Sequence, residues 1–318
     1  MRAATRLLTL LLAALMGLGC RGPAEGPVKG VLVVYPQELE EEVDEALGEL
    51  QIYLTTVDRE PVFNFSSARL QDFEGSLRLR RTILFLTEKA SQIPGELASA
   101  DGVYRARDVW ASNQLVYGAV LPDVTNMDAL SDSLLKAYNL HMRDFIYGSF
   151  VVTQMSSPER IDSLRELGFT IDVPKSYSTE VWRPEEGFVQ YQRFDSENCA
   201  LMLSIRWKPA EDGIGSGEEA MQWREAVARR FFHDAQEDSV DRAKTTASPM
   251  VLDGAEGLEL LGIWRNPEHL NAGAFTSYLL RHGDRKYLID FEVYYPEGQK
   301  EPYIREGWTI MNTFVPGS

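Results

Sequence analysis

"CALMLSIRW", Cys199 to Trp207, alternates along its length: Cys199, Leu201, Leu203, Ile205 and Trp207 fall on one side, and Ala200, Met202, Ser204 and Arg206 on the other. Successive side chains of a strand point to opposite faces, so this spacing predicts a β-strand with one apolar face on a core. Cys199 sits on that core face. A nucleophilic cysteine needs an exposed thiolate beside a base, so the position predicts a buried structural thiol. The period-two pattern begins at Phe169 and continues downstream in strands over Gly257 to Arg265, Ala274 to His282 and Lys286 to Tyr295, the last two joined by the hairpin signal Gly283-Asp284. A helix from Ser216 to about Asp234 interrupts the strands and buries Ala220, Trp223, Val227 and Phe231, and Gln299 to Phe314 closes the chain as a second helix. The order is strand pair, helix, three strands, helix.

Upstream the pattern differs. Val31 to Tyr35 is a continuous apolar run suited to a strand covered on both faces, and Pro36 to Leu50 repeats Leu39, Val43, Leu47 and Leu50 at helical spacing. The acidic residues of that helix, Glu38, Glu40, Glu41, Glu42, Asp44, Glu45 and Glu49, lie mostly opposite the leucines and read as a solvated face. Arg81 to Thr87 and Gln114 to Leu121 are further strands. Thr125 caps a long helix with Asp128 in the capping-box position, and Leu130, Leu134, Tyr138, His141 and Phe145 form its stripe up to Gly148. A shorter helix, Ser157 to Leu167, has Ser157 as cap, Pro158 in its first turn and Gly168 as stop, and links the halves. The expected fold class is therefore α+β: an N-terminal α/β domain over residues 30–155, then a C-terminal domain over 156–318 built on an antiparallel sheet between helices. No internal repeat is visible.

The N-terminus sets the expected location. Arg2 and Arg6 precede an uncharged stretch from Leu7 to Leu18, and Gly17 and Gly19 lead into Cys20, the order of a secretory signal. A dozen apolar residues fall short of the roughly 20 that a membrane-spanning helix needs. The stretch resembles a bacterial lipoprotein signal, which implies cleavage after residue 19 and lipidation of Cys20, with palmitate-type acyl chains. Two or three such chains at about 0.8 kcal/mol per buried methylene hold a protein on a membrane. Residues 20–29 then form a tether, and Arg21 resembles signals without a retaining aspartate, which implies an outer-membrane lipoprotein facing the periplasm or the cell surface.

The chain has 318 residues and a formal net charge of −16, and loss of Arg2 and Arg6 makes it more acidic still. Phosphate binding needs clustered Lys and Arg, so nucleic acid is not an expected partner, and membrane contact falls to the lipid. Of two cysteines one is assigned to lipid, so Cys199 has no disulfide partner and no metal site can be made from cysteines.

The stretches "GFTIDVPKSY" from Gly168, "GFVQYQRF" from Gly187, "GLELLGIW" from Gly257 and "GDRKYLIDFEVYYP" from Gly283 follow a layout that resembles the PsbP and Mog1-like fold, which implies an antiparallel sheet sandwiched by helices. A broader resemblance runs through the lipoprotein start, "FEGSLRLRRTILF" from Phe73, "VWASNQLV" from Val109, and Trp264 with Gly273 and Phe275. These positions resemble a family of bacterial lipoproteins called domain of unknown function 4837. That family brings no catalytic residue with it.

Side-chain chemistry is sparse. His141, His233, His269 and His282 show no metal-ligand spacing, and His141 lies on an apolar stripe as a core residue would. "GIGSG" from Gly213 lacks the spacing of a nucleophile elbow, and no Walker loop occurs. The local anomaly is "LRLRR", Leu77 to Arg81, three arginines beside a strand in an acidic chain. Arg78 and Arg81 with Trp110 and Gln114 would form an anion or ligand pocket if the two neighbouring strands lie side by side; otherwise the arginines pair with surface carboxylates. Trp182, Trp207, Trp223, Trp264 and Trp308 crowd the C-terminal half, where packing accounts for them better than a ligand groove does. No cofactor or metal is expected. The function expected is a lipid-anchored envelope module that binds a small ligand or an envelope protein rather than an enzyme, with a hydrolase using carboxylates between the halves as the alternative.

Overall fold

A computed structural model describes residues 22–317 apart from 101, 122–126, 154–155, 211–212 and 234. The expected lipid site at Cys20 and the helix cap at Thr125 lie outside the described residues. The chain divides into two units. Among the described residues, one holds those up to Ile52 together with those of Phe63–Asn139, and the other holds Tyr53–Val62 and those from Leu140 onward.

In the first unit the apolar run forms β1 (Gly30–Tyr35), and Val31 to Tyr35 are all buried. After a short turn, α1 (Glu40–Leu50) buries Val43, Ala46 and Leu50 and leaves its acidic residues exposed. The hairpin β2 (Tyr53–Thr55) and β3 (Arg59–Pro61) belongs to the second unit. β4 (Asn64–Arg69), β5 (Thr82–Thr87), β6 (Ala98–Ala100), β7 (Val103–Arg107) and β8 (Leu115–Val120) complete a six-stranded sheet in the order β4-β1-β5-β8-β7-β6. The four strands from β4 to β8 run parallel and the last two antiparallel. Leu32, Val34, Ile83, Phe85 and Val116 pack with Phe73, Ile93 and Leu97 as a core on this sheet. α2 (Met127–Thr153) starts in this unit and ends in the second.

After α2 the second unit continues with α3 (Pro158–Glu166), where the Ser157 hydroxyl accepts from the Arg160 N–H at 3.2 Å as a helix cap does. β9 (Phe169–Thr170), β10 (Ser178–Arg183), β11 (Phe188–Ser196) and β12 (Cys199–Pro209) follow, then α4 (Gly217–Phe231), whose Ser216 and Glu219 form a capping box. β13 (Ser239–Val240), β14 (Thr246–Leu252), β15 (Ala255–Asn266), β16 (Asn271–His282) and β17 (Arg285–Tyr294) precede α5 (Glu301–Met311) and β18 (Val315–Pro316). The main sheet is antiparallel with eight strands, β10-β11-β12-β17-β16-β15-β13 with β14 also on β15.

Strand β17 shows how the sheet is covered. Its odd residues face α5: Gly307 lies so close to the Phe291 ring that a Cβ there would stand 2.4 Å away, and Trp308 donates its indole N–H to Thr276 at 3.0 Å. Its even residues face α4: Leu288 packs with Val227, Ala228 and Phe231, and the Phe188 and Phe231 rings stack at 4.1 Å. The sheet is thus sandwiched by helices, as the order of elements predicts. Cys199 is buried and free, on the expected face.

The β2–β3 hairpin has a specific task in this unit. The buried Glu60 carboxylate accepts from the backbone N–H of Lys300 at 2.8 Å and of Glu301 at 2.9 Å, and from the Thr56 hydroxyl at 2.7 Å. It therefore satisfies orphan donors and the positive dipole end at the start of α5.

Candidate functional site

β5 and β8 do lie side by side, pairing Thr82 with Leu115, and this fixes where the arginine cluster goes. Arg78 sits on a 3-10 turn over Gly75–Leu79, exposed, with its Nε donating to the Phe73 carbonyl at 3.3 Å. Arg81 is half-buried and donates to the Gly26 carbonyl at 3.5 Å. Gln114 is buried and committed to backbone: its amide donates to the carbonyls of Arg78 and Arg80, each at 2.7 Å, and its oxygen accepts from the Trp110 N–H at 2.9 Å. Trp110 packs edge-on against Phe73 at 5.3 Å. The four residues come together, with Gln114 and Trp110 holding the turn that carries the arginines.

A different group of polar side chains meets in the second unit, at the β15–β16 hairpin. Its register pairs Asn266 with Asn271 and Trp264 with Gly273. Gly273 leaves room for the indole, since a Cβ there would stand 2.6 Å from Trp264 Nε1. Two chambers share Asn266 and Asn271 in their walls. The smaller, about 280 Å³, is lined by Trp264, Asp238, Glu292, His233 and His269, and the larger, about 640 Å³, by Ile263, Leu270, Ala272, Tyr294 and Pro296 with Asp58, Lys244, Arg265 and Lys300. The larger is within the size of small-molecule sites. The loop between the strands ends at Leu270, which stands at φ +52° with its side chain 91% exposed. A left-handed, exposed leucine at a chamber mouth is the kind of strain that persists where a site needs it.

Behind the smaller chamber lies a buried charge cluster. Arg224 on α4 is 1% exposed, donates from Nε to Asp290 at 2.9 Å, pairs through Nη2 with Glu292, and lies over the Phe275 ring at 3.7 Å. Ser277 donates to the same Asp290 oxygen. Burial pushes Glu292 up to about 8 against the pull of Arg224, with Asp290 and Asp238 adding like-charge repulsion. Burial also raises Asp238, although Asn266 donates to it at 2.8 Å. Asn266 in turn accepts from the His269 N–H at 3.0 Å. Three polar atoms here are buried without a hydrogen-bond partner among the described residues: Trp264 Nε1, Asn271 Oδ1 and Asp290 Oδ2.

Other polar clusters also hold buried atoms without a hydrogen-bond partner among the described residues, Arg193 Nε, Tyr191 Oη and Gln190 Nε2 among them. On the α5 side of the sheet Tyr177 donates to Glu306 at 2.5 Å, Arg193 pairs with Glu306 at 2.7 Å, and Tyr303 donates to Asp195 at 2.7 Å. Among the described residues no group of three or more His, Cys, Asp and Glu is arranged to hold a metal ion. His233 and His269 meet at the smaller chamber, whereas His141 is buried on α2 and His282 ends β16. Trp207 packs on Phe169 and Trp308 bonds Thr276, so these tryptophans serve packing. Asp238, Asn266, Asn271 and Glu292 were not legible as a site, because they come from separate segments. One signal was available: Arg224 falls on the stripe of Ala220, Val227 and Phe231, where a charge requires a buried partner.

Among solved structures the chain is similar to PsbP (CyanoP) of the cyanobacterium Synechocystis sp. PCC 6803, at 13% identity over 51% of this chain and 91% of that one, with a TM-score of 0.35. It is similar to a protein of Bacteroides thetaiotaomicron at 10% identity over 48% of this chain and 46% of that one, TM-score 0.30. It is also similar to LpqN of Mycobacterium tuberculosis, described as involved in cell envelope biogenesis, at 8% identity over 47% of this chain and 83% of that one, TM-score 0.31. No curated protein matches the chain. The profile of Domain of unknown function (DUF4837) matches residues 155–313. The stretch it covers contains the sandwiched sheet, α4, α5 and most walls of both chambers, and by this match the chain belongs to the DUF4837 family.

Proposed function

We propose that this protein is a lipid-anchored, extracytoplasmic binding module of the cell envelope, whose ligand site is the pair of chambers at the β15–β16 hairpin. The observation that carries the reading is the smaller chamber itself, whose walls bring Asp238, Trp264, Asn266, Asn271 and Glu292 together. The anchor reading is supported by the Arg2-to-Cys20 signal pattern, and among the described residues no helix is long and apolar enough to cross a membrane. The Arg78–Arg81 turn remains a proposed secondary contact for an anionic envelope partner. Acidity of the whole chain supports partners other than nucleic acid.

A second reading, hydrolysis, is favoured by one observation: Asp238 and Glu292 line the same chamber, and a carboxyl pushed up to about 8 suits a general acid at neutral pH. Both groups belong to the second unit. Turnover of a bound compound, not binding alone, distinguishes this reading.

One experiment addresses both parts of the first proposal. The full chain and Cys20→Ser are separated into membrane and soluble fractions, and each is titrated by thermal shift with a panel of amino acids, short peptides, sugars and phosphates. Cys20→Ser is expected in the soluble or unprocessed fraction with ligand-dependent shifts unchanged. Equal membrane partition at the same processed mass removes the anchor, and a flat panel in both proteins removes the site.

A further inference from the structure

β1, β5 and β8 run parallel, so their amino ends share one end of the first sheet. The Gly75–Leu79 turn enters β5 there, and the loop up to Gln114 enters β8. The segment ahead of β1 is bound to both. Ala24 donates its backbone N–H to the Ser112 carbonyl at 2.8 Å, and the Ser112 N–H donates to the Gly22 carbonyl at 2.9 Å. On the opposite side Glu25 donates to the Leu79 carbonyl at 2.6 Å and accepts from the Arg81 N–H at 2.9 Å. Residues 22–25 are therefore held between two neighbours and parallel to each, with Ala24 buried. Only Arg21 stands between Gly22 and Cys20, and two residues of chain span at most about 7 Å. An acyl group on Cys20 then leaves no slack, and the end of the sheet that carries the arginines comes against the bilayer surface.

The side chains at that end suit such a contact. Arg78 and Arg80 are exposed and Arg81 is half-buried, and none of the three has a carboxylate ion pair among the described residues. On other surfaces of this acidic chain arginines do find carboxylates: Arg183 and Arg230 share Glu186, and Arg265 pairs with Asp241. Arg81 donates to the Gly26 carbonyl at 3.5 Å, and Arg80 Nη1 stands 3.2 Å from where a Cβ on Gly26 would be, so both guanidiniums flank the segment that leads from Cys20. We propose that Arg78, Arg80 and Arg81 bind the phosphodiester headgroups of the bilayer that holds the anchor, and so seat the amino end of the first unit's parallel strands on the membrane. This rests on the anchor reading above and makes the bilayer the anionic partner of the turn. A guanidinium fork matches a phosphate, and the potential of an anionic leaflet decays within a Debye length, about 8 Å at physiological salt. The short link supplies that closeness in a chain whose net charge of −16 opposes approach to an anionic surface.

The test places a fluorophore at one or the other end of β5 in the full lipidated chain, through Ser76→Cys in the turn or Glu88→Cys just past the strand, both exposed positions. Cys199 is buried and does not compete for the label. Each protein is reconstituted into vesicles of phosphatidylethanolamine and phosphatidylglycerol that carry a lipid with a nitroxide headgroup, and quenching is read together with vesicle flotation. The Ser76 label is expected to be quenched several-fold more than the Glu88 label. Arg78→Gln, Arg80→Gln and Arg81→Gln together are expected to lower the Ser76 quenching several-fold without changing flotation. Equal quenching of the two labels in floating protein overturns the seating and leaves the anchor standing. Ser76 quenching that the three substitutions leave unchanged overturns the arginine contact. A parent chain without acyl mass that does not float overturns the anchor reading, and this inference with it. The comparison of the two labels needs no charge variant, so a misfolded triple mutant does not decide the outcome.

Discussion

Arg78 and Arg81 belong to the densest run of guanidiniums in the chain, while Arg224 stands among apolar residues on a helix; of these, it is Arg224 that is buried and shared by two carboxylates. The run at Leu77–Arg81 is carried by a turn whose backbone is held by Gln114, and its charges reach solvent or main-chain carbonyls. Arg224 is held between a helix and a fully covered sheet face, where every charge needs a partner. Local charge density thus indicates little about electrostatic consequence; the cover over a residue determines it.

The largest expected effect tests that contrast directly. Arg224→Ala leaves Asp290 and Glu292 buried without their cation, and the loss should be about 3–5 kcal/mol, read by urea denaturation. A loss below about 1 kcal/mol, the range of an exposed pair, breaks the comparison.

A smaller effect concerns pH. Glu292 in the folded chain stands at about 8, above its ordinary 4.5. Between those values the folded state keeps a proton that the unfolded state releases, so its contribution to stability is greatest below the window, falls as pH rises through it, and levels off above about 8. The slope from one such group is at most about 1.4 kcal/mol per pH unit. Asp238 and Glu306 are raised as well and act in the same direction. The difference between the parent and Glu292→Gln across pH 5 to pH 8 isolates this group; parallel curves would contradict its raised value. The smallest effect is that of Arg78→Ala with Arg81→Ala, expected within about 0.5 kcal/mol of the parent, because neither side chain has a buried ion partner. A loss as large as that of Arg224→Ala would erase the distinction between the two regions.

Why the sequence disclosed one region and concealed the other follows from the same physics. Strands β12, β16 and β17 and the caps at Ser157 and Ser216 were readable because alternation and capping are local patterns. The strand over Asn64–Arg69 escaped because it buries no residue fully, and Thr246–Leu252 because it is mostly exposed and carries Pro249. Edge strands lack the two-sided burial that produces a pattern. Asp290 and Glu292 alternate with Ile289, Phe291 and Val293 as solvent-facing acids would, and only the placement of α4 over that face makes them buried. Asp238, Asn266 and Asn271 meet through hairpin register and long-range packing, which no window of sequence contains.

The Glu60 carboxylate over the first turn of α5 has a consequence for the order of synthesis. Glu60 leaves the ribosome 240 residues ahead of Lys300, and the last helix of the second unit is completed by one of the earliest segments made. Closing so long a loop costs little more than closing a shorter one, because the cost grows only with the logarithm of length. What changes is timing: the hairpin has to wait, unpaired with its helix, through most of translation. A fragment cut at residue 155, where the family match begins, has every strand of the main sheet yet lacks the carboxylate that neutralises the start of its final helix. The evolutionary boundary of the family match and the physical boundary of the folding unit therefore do not coincide in this chain.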